Sequence, residues 1–173
     1  MSGTTEVIFS ADVSNLLSEP SVLFDSAPTT AAMVIKSPSS LEAELLSCIK
    51  RVREDFATNE ADYLEDGGLP VQDKVRSFLL ESTFEFVNFI LKNRQSYSIE
   101  DFRITPFARD DGGANLLIDC LKVKRRITLL IRPDSLDMRL SFSSENEVPR
   151  GQEIRSPGEI VATRNVSWLI GRG

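Results

Sequence analysis

The sequence predicts an α+β fold with two N-terminal helices packed on one face of an antiparallel meander of four or five strands, followed by a short C-terminal helix. From Ser39 to about Asn93, apolar residues recur every three or four positions, which is helical spacing. From Tyr97 onward they alternate with polar residues, which is strand spacing. Short turn sequences separate the strands, so consecutive strands are expected to be antiparallel neighbours.

The composition indicates one globular domain without catalytic histidine chemistry. Of the 173 residues, 41% are apolar and 27% are charged, and the net charge of −6 disfavours a broad nucleic-acid or anionic-membrane surface. The chain contains no histidine, which excludes Ser-His-Asp and Cys-His catalysis and leaves carboxylate chemistry with Mg²⁺. Cys48 and Cys120 are interpreted as small buried apolar residues. We expect a cytoplasmic protein with no cofactor and no membrane segment.

Residues 1–37 are predicted to form a flexible acidic N-terminal tail, and residues 38–173 a single α+β domain. Ser, Thr, Ala and Pro dominate the tail, and no helical or strand period is sustained there. The tail is either a disordered leader or a segment that docks on a partner. In the second case Val22, Leu23 and Phe24 are the candidate anchor, because they form an apolar island in an acidic segment.

Two helices are predicted before the sheet. Ser39 and Glu42 have the spacing of a capping box at the start of the first helix. Residues 58–70 are interpreted as an acidic loop, and Pro70 as the first position of a second helix that extends to about Asn93. The apolar arc of the second helix is wide, which predicts a central position covered on more than one side. The apolar stripe of the first helix consists of Leu41, Leu45, Ile49, Val52 and Phe56.

The strands are delimited by turns. Pro106 predicts that the first strand is short or lies at an edge of the sheet. The turns are expected at residues 110–113, 122–125 and 133–135, and the strand after the last of them carries Leu136, Met138, Leu140 and Phe142 in alternation. Residues 143–152 are interpreted as a loop. A last short strand is expected to begin at Ile154, and residues 161–170 are predicted to form a short helix that inserts Trp168 as a plug.

Two charged clusters are candidates for function. Glu60, Asp62, Glu65 and Asp66 offer oxygen ligands for a cation, but their spacing departs from that of a calcium loop, and a solvated acidic loop near a helix start explains them with nothing added. We therefore predict no metal site and no catalytic residue.

The basic cluster consists of Lys122, Lys124, Arg125 and Arg126. It could hold phosphates, with Phe102 and Phe107 stacking on bases if both lie on the same face of the sheet. In an acidic protein it is better explained as charge that keeps a hairpin soluble and blocks edge-to-edge pairing.

Two stretches resemble a loose family of small bacterial proteins of unassigned function. The first is Tyr63-Leu64-Glu65-Asp66-Gly67-Gly68-Leu69-Pro70, which stands where that family has a Trp-Asp-Gly loop. The second joins Ile104-Thr105-Pro106 to Asp111-Gly112-Gly113, Leu116 and Leu129-x-Ile131-x-Pro133. Tyr63, Leu64 and Ile118 replace a tryptophan, an aspartate and a second tryptophan of the family pattern. The resemblance covers residues 39–133, implies an α+β architecture and supplies no activity.

Exclusion of the common catalytic patterns favours a non-enzymatic protein-binding module, such as a bacterial accessory, immunity or antitoxin-type protein with an unidentified protein partner. The alternative is a nucleic-acid-binding regulator that uses the basic cluster at 122–126. A further alternative is a hydrolase in which Asp62, Glu65 and Asp66 bind Mg²⁺.

Overall fold

The computed structural model describes residues 39–133, 138–145 and 147–172. Two helices precede a five-stranded antiparallel sheet, and a short helix follows it, which confirms the predicted fold class. The tail at 1–37, with Val22, Leu23 and Phe24, lies outside the described residues. The elements are α1 (Ser40–Glu65), α2 (Asp73–Lys92), β1 (Phe102–Ala108), β2 (Ala114–Cys120), β3 (Arg125–Ile131), β4 (Met138–Ser144), β5 (Glu147–Ile154) and α3 (Thr163–Leu169). Short 3₁₀ helices at Ile99–Asp101 and Pro157–Val161 precede β1 and α3.

Helix α1 begins at the predicted capping box. The Ser39 amide donates to Glu42 Oε2 at 2.7 Å, and the Glu42 amide donates to Ser39 Oγ at 3.3 Å. The apolar stripe faces the core, where Leu45, Val52 and Phe56 are buried.

The predicted loop at 58–70 begins too early, because α1 continues to Glu65. The polar residues Asn59 and Glu60 obscure this continuation, since they point inward toward partners elsewhere in the chain. Asn59 Oδ1 accepts a 2.7 Å hydrogen bond from the Ala108 amide of β1. The sequence alone shows only two polar residues that end an apolar stripe.

Helix α2 begins at Asp73, so the predicted start at Pro70 is wrong. The residues before it are held extended by hydrogen bonds: the Val71 amide donates to Glu60 Oε1 at 3.0 Å and the Gln72 amide to the Gly112 carbonyl at 3.3 Å. The central position of α2 is confirmed, because it packs against α1, β2 and the second 3₁₀ helix. None of the described helices has the length and apolar character needed to cross a membrane.

The five strands follow one another in chain order, β1-β2-β3-β4-β5, and every neighbouring pair is antiparallel. Strand β1 lies at an edge, as Pro106 predicted. The interpretation of 143–152 as a loop is wrong: β4 extends to Ser144, β5 starts at Glu147, and Ile154 ends that strand instead of beginning it. Strand β5 is an exposed edge strand held by backbone hydrogen bonds, so its sequence has no apolar alternation.

The two faces of the sheet differ sharply. The side chains that point toward the helices are buried along most of β1 to β4, including Ile118, Leu129 and Leu140, whereas Ile154 is the one buried residue of β5. The intervening side chains, such as Leu117 and Leu130, are half-buried or exposed. Met138, Leu140 and Phe142 follow the predicted alternation, whereas Leu136 lies outside the described residues. In the part of the chain that the structure describes, helices cover only one face.

A polar junction joins α1, α2 and the β1–β2 hairpin. Both oxygens of Glu60 accept hydrogen bonds from the Arg76 guanidinium, at 2.7 and 3.0 Å, and Glu60 is 8% exposed. Burial by itself would raise the pKa of Glu60, but the hydrogen bonds from Arg76 and from the Val71 amide lower it below the ordinary value.

The two stretches that carry the family resemblance meet beside this junction. The Leu69 amide donates to the Asp110 carbonyl at 3.4 Å, so the α1–α2 loop lies on the hairpin loop. A Cβ atom at Gly68 would lie 2.5 Å from Tyr63 Cδ1, and Gly112 has a φ of 76°, so a side chain is excluded at the first and strained at the second. These glycines therefore serve loop packing.

Truncation of the core should unfold the domain more easily. We expect Leu129→Ala to lower the free energy of unfolding by about 2–5 kcal/mol, because Leu129 is fully buried between the sheet and the helices. Urea denaturation followed by circular dichroism measures this loss. Leu130→Ala on the other face of the same strand is the matched control and should cost about 1 kcal/mol. Equal losses for the two variants would contradict the assignment of the faces.

Removal of the Glu60 charge should make stability less dependent on pH. We expect Glu60→Gln to cost about 1–3 kcal/mol at neutral pH, because the Arg76 guanidinium loses its charged partner. The folded-state pKa of Glu60 is lowered, so the stability that its charge supplies is present above the ordinary value of 4.5 and is lost as pH falls through the folded-state pKa.

Urea denaturation of wild type and Glu60→Gln at several pH values measures this difference, which should shrink below pH 4.5. Glu65→Gln, an exposed substitution in the same helix, should change stability by less than about 0.5 kcal/mol. A constant difference between wild type and Glu60→Gln at every pH would contradict the role of the charge.

Candidate functional site

The outer face of the sheet, defined as the side that the described helices leave uncovered, carries an apolar patch. Phe107, which is 37% exposed, and half-buried Leu130 are the cross-strand neighbours of Asn115. Leu117 lies two residues farther along the same strand and points to the same side. The three apolar side chains Phe107, Leu117 and Leu130 therefore surround Asn115, and we call these four residues the outer patch.

Asn115 presents an acceptor without a donor. Its Oδ1 atom is inaccessible to solvent and has no hydrogen-bond partner among the residues that the structure describes. A buried carbonyl oxygen normally has a partner, and its absence costs stability. An exposed apolar patch on a sheet face is a candidate surface for contact with another protein.

The remainder of the outer face is mostly polar. Thr105, Thr128 and Ser141 form a row across β1, β3 and β4, with Leu117 between the first two. The guanidinium of Arg139 lies against β5, where a Cβ atom at Gly151 would come within 2.6 Å of it. A second groove of about 400 Å³ lies at one end of this face beside the basic cluster, and its lining includes Arg103, Asp119, Arg126 and Ser143. The residues of the outer patch do not line this second groove.

A groove of about 410 Å³ lies between β5 and α3, on the helix side of the sheet. Trp168 anchors α3 there and packs edge-to-face on Phe142, with ring centres 5.2 Å apart. Its indole Nε1 donates to Glu147 Oε2 at 3.0 Å, and its carbonyl accepts a 2.6 Å hydrogen bond from Arg125 Nη1. The predicted role of Trp168 as a plug is confirmed, since it is 4% exposed. The groove is lined by Phe142, Arg150, Gly151, Gln152, Arg164, Asn165 and Trp168.

The groove is cationic. The Arg150 guanidinium lies 5.6 Å from the Trp168 ring centre and 5.9 Å from that of Phe142. Neither Arg150 nor Arg164 forms an ion pair with any residue that the structure describes. No local sequence pattern indicates this groove, because its arginines lie far apart in the chain and flank no recognisable motif.

The four residues of the basic cluster are each paired with an acidic residue. The ion pairs are Lys122–Asp101 at 2.7 Å, Lys124–Glu145 at 3.1 Å, Arg125–Glu147 at 3.1 Å and Arg126–Asp119 at 2.6 Å. The hydrogen bond to Asp119 also raises the pKa of Arg126. The cluster surrounds the β2–β3 turn but is neutralised there, which suits the explanation as hairpin charge better than a phosphate site.

The two aromatic residues proposed to stack on bases lie on opposite faces. Phe102 is 7% exposed and packs edge-to-face on Phe86, whereas Phe107 belongs to the outer patch. The expectation that Phe102 and Phe107 could form a shared platform is therefore wrong, because five positions separate them and side chains alternate along a strand.

The acidic residues of the predicted loop do not converge. Glu60 is buried against Arg76. Asp62, Glu65 and Asp66 are exposed, and they line neither the groove between β5 and α3 nor the second groove beside the basic cluster. Within residues 39–133, 138–145 and 147–172, no group of three Asp, Glu, Cys or His side chains could hold a metal ion.

The cysteines differ in burial. Cys120 is buried in β2, as expected, whereas Cys48 is half-buried on α1. Burial raises the pKa of the Cys48 thiol, so it is less reactive than an exposed thiol at neutral pH.

No protein-family model, curated protein or solved structure matches the chain. The resemblance to a loose bacterial family stays a prediction.

Proposed function

We propose that this chain is a cytoplasmic, non-enzymatic protein-binding module, in the class of bacterial accessory, immunity or antitoxin-type proteins. The outer patch is the observation that carries the proposal. Phe107, Leu117 and Leu130 form an accessible apolar surface around the unsatisfied acceptor of Asn115. A partner that covers these three side chains removes their apolar surface from water.

The alternatives have less support from the described geometry. A nucleic-acid-binding regulator would need free cations, whereas Lys122, Lys124, Arg125 and Arg126 are held by carboxylates. A Mg²⁺-dependent hydrolase would need Asp62, Glu65 and Asp66 to converge, whereas they are spread over the exposed end of α1 and its cap. Protein binding needs neither arrangement.

Substitution of the outer patch should abolish capture of a partner. We expect the variant Leu117→Thr/Leu130→Thr to lose a protein that tagged wild type retains from a lysate of the native cell, because threonine keeps the strand while it removes the apolar contact. Quantitative mass spectrometry of the eluates measures recovery, and circular dichroism checks the fold.

The matched control is Val148→Thr, an exposed position on β5 that should leave recovery unchanged. Recovery of the same proteins at the same yield with wild type and the outer-patch variant would contradict the proposal.

The tail supplies an independent prediction. If Val22, Leu23 and Phe24 anchor it on the partner, replacement of all three by serine should lower recovery as much as deletion of residues 1–36 does, because both changes remove the apolar anchor. The measurement is the same capture experiment. Equal recovery with and without residues 1–36 would count against an anchor in the tail.

A further inference from the structure

The groove between β5 and α3 holds more positive than negative charge. Arg150 and Arg164 line it, whereas Arg125 lies over the Trp168 ring, 5.0 Å from its centre, and is paired with the carboxylate of Glu147. Both oxygens of Glu147 are already engaged, one by Arg125 Nη2 at 3.1 Å and the other by Trp168 Nε1 at 3.0 Å. Arg125 is thus compensated, and two arginine charges are left without a carboxylate among the described residues, in a chain of net charge −6.

Arg150 is held in place without being neutralised. Its guanidinium lies over the Phe142 and Trp168 rings, at 5.9 and 5.6 Å from their centres. Cation–π contacts of this kind restrict the guanidinium while its N–H donors at the edge stay available. Arg164 is exposed on α3, on the other wall of the groove. Two guanidinium groups therefore flank a space that is lined by Gly151, Gln152 and Asn165.

The dimensions and position of the groove suit an extended segment. Its volume of about 410 Å³ falls in the range of small-ligand sites. Arg150 and Gln152 of β5 point into it, and β5 is the last strand of the sheet, so no other described strand occupies its free side. A chain that lies along β5 would turn alternate side chains toward the groove.

We infer that this groove binds the carboxylates of an acidic peptide segment in a partner protein, with Arg150 and Arg164 as the anion-binding residues. A guanidinium matches a carboxylate with two parallel N–H···O bonds, and both arginines are free to form them. The site is separate from the outer patch, because Phe142 and Leu130 point to opposite sides of the sheet. The inference rests on the proposed function in one respect, which is that the ligand is a segment of a partner protein.

The same geometry disfavours nucleic acid as the ligand. Phe142 and Trp168 are only 6% and 4% exposed, so their rings offer no platform on which bases could stack. The net charge of −6 also repels a polyanion that extends beyond the groove. A short segment whose acidic side chains reach two arginines needs no stacking platform and does not extend beyond the groove.

Fluorescence anisotropy with the full chain tests the site. The probe is a labelled peptide of alternating glutamate and valine, and the comparison peptide has glutamine in place of glutamate. We expect saturable binding of the glutamate peptide that weakens as salt is added. Arg150→Gln/Arg164→Gln should weaken binding about tenfold, since it removes two charge-assisted contacts. The affinity of Arg150→Lys/Arg164→Lys for the glutamate peptide should lie between those of wild type and Arg150→Gln/Arg164→Gln, because lysine keeps the charge and loses the bidentate geometry.

The matched control is Arg53→Gln/Arg94→Gln, which removes the same charge from exposed positions on α1 and after α2 and should leave binding unchanged. The inference is overturned by any of four results: no binding of the glutamate peptide at low salt, equal binding of the glutamine peptide, an equal loss in the control, or tighter binding of single-stranded DNA. Because the two peptides are compared on wild type, a variant that fails to fold does not obscure the result.

The outcome is separable from that of the capture experiment. Loss of peptide binding in Arg150→Gln/Arg164→Gln confirms the groove even if the outer-patch variant retains its partner. If wild type binds no glutamate peptide while the outer-patch variant loses its partner, the groove inference fails and the proposed function stands.

Discussion

The buried carboxylate of Glu60 is the contact on which the arrangement of the helices and the β1–β2 hairpin depends. A carboxylate is costly to bury unless charged and neutral donors surround it, and here the Arg76 guanidinium and the Val71 amide do so. These bonds connect the last turns of α1 to the start of α2. The adjacent residue, Asn59, accepts a hydrogen bond from the β1 amide of Ala108, so the helical layer is also joined to the edge of the sheet. The end of α1 and the start of α2 follow from these contacts.

The two candidate surfaces both arise because the helical layer is smaller than the sheet. Five strands about 4.8 Å apart present a face roughly 20 Å wide on each side. Helices about 10 Å in diameter cover one of these sides, with α1 over β1 and α2 over β2 and β3. The short helix α3 leaves a groove beside β5, and the opposite side of the sheet has no described helix. The outer patch and the cationic groove are consequences of this incomplete coverage.

The features that local sequence decides were predicted well. The capping box of Ser39 and Glu42, the edge position of β1 and the alternation through Ile127, Leu129 and Ile131 are all present. The features that were predicted wrongly from the sequence involve polar residues whose partners lie far away in the chain. Asn59 and Glu60 were interpreted as loop residues, and the last strand was placed too late, from Ile154 onward, because the exposed residues of β5 show no apolar period. The sequence does not reveal the acidic partners of the basic cluster, whereas the structure pairs each of its members with a carboxylate.

The sequence by itself determined the type and order of the helices and strands and the side of each strand that is buried. These features follow from the spacing of apolar residues along the chain, which is a property of neighbouring residues. Only the tertiary structure decided where α1 ends, where α2 begins, where β5 lies in the chain and that a groove forms around Arg150 and Trp168. The deciding contacts join residues 16, 43 and 49 positions apart, in the pairs Glu60–Arg76, Arg125–Trp168 and Asn59–Ala108. A local pattern carries no record of such partners, because each bond exists only once the chain has brought its two ends together.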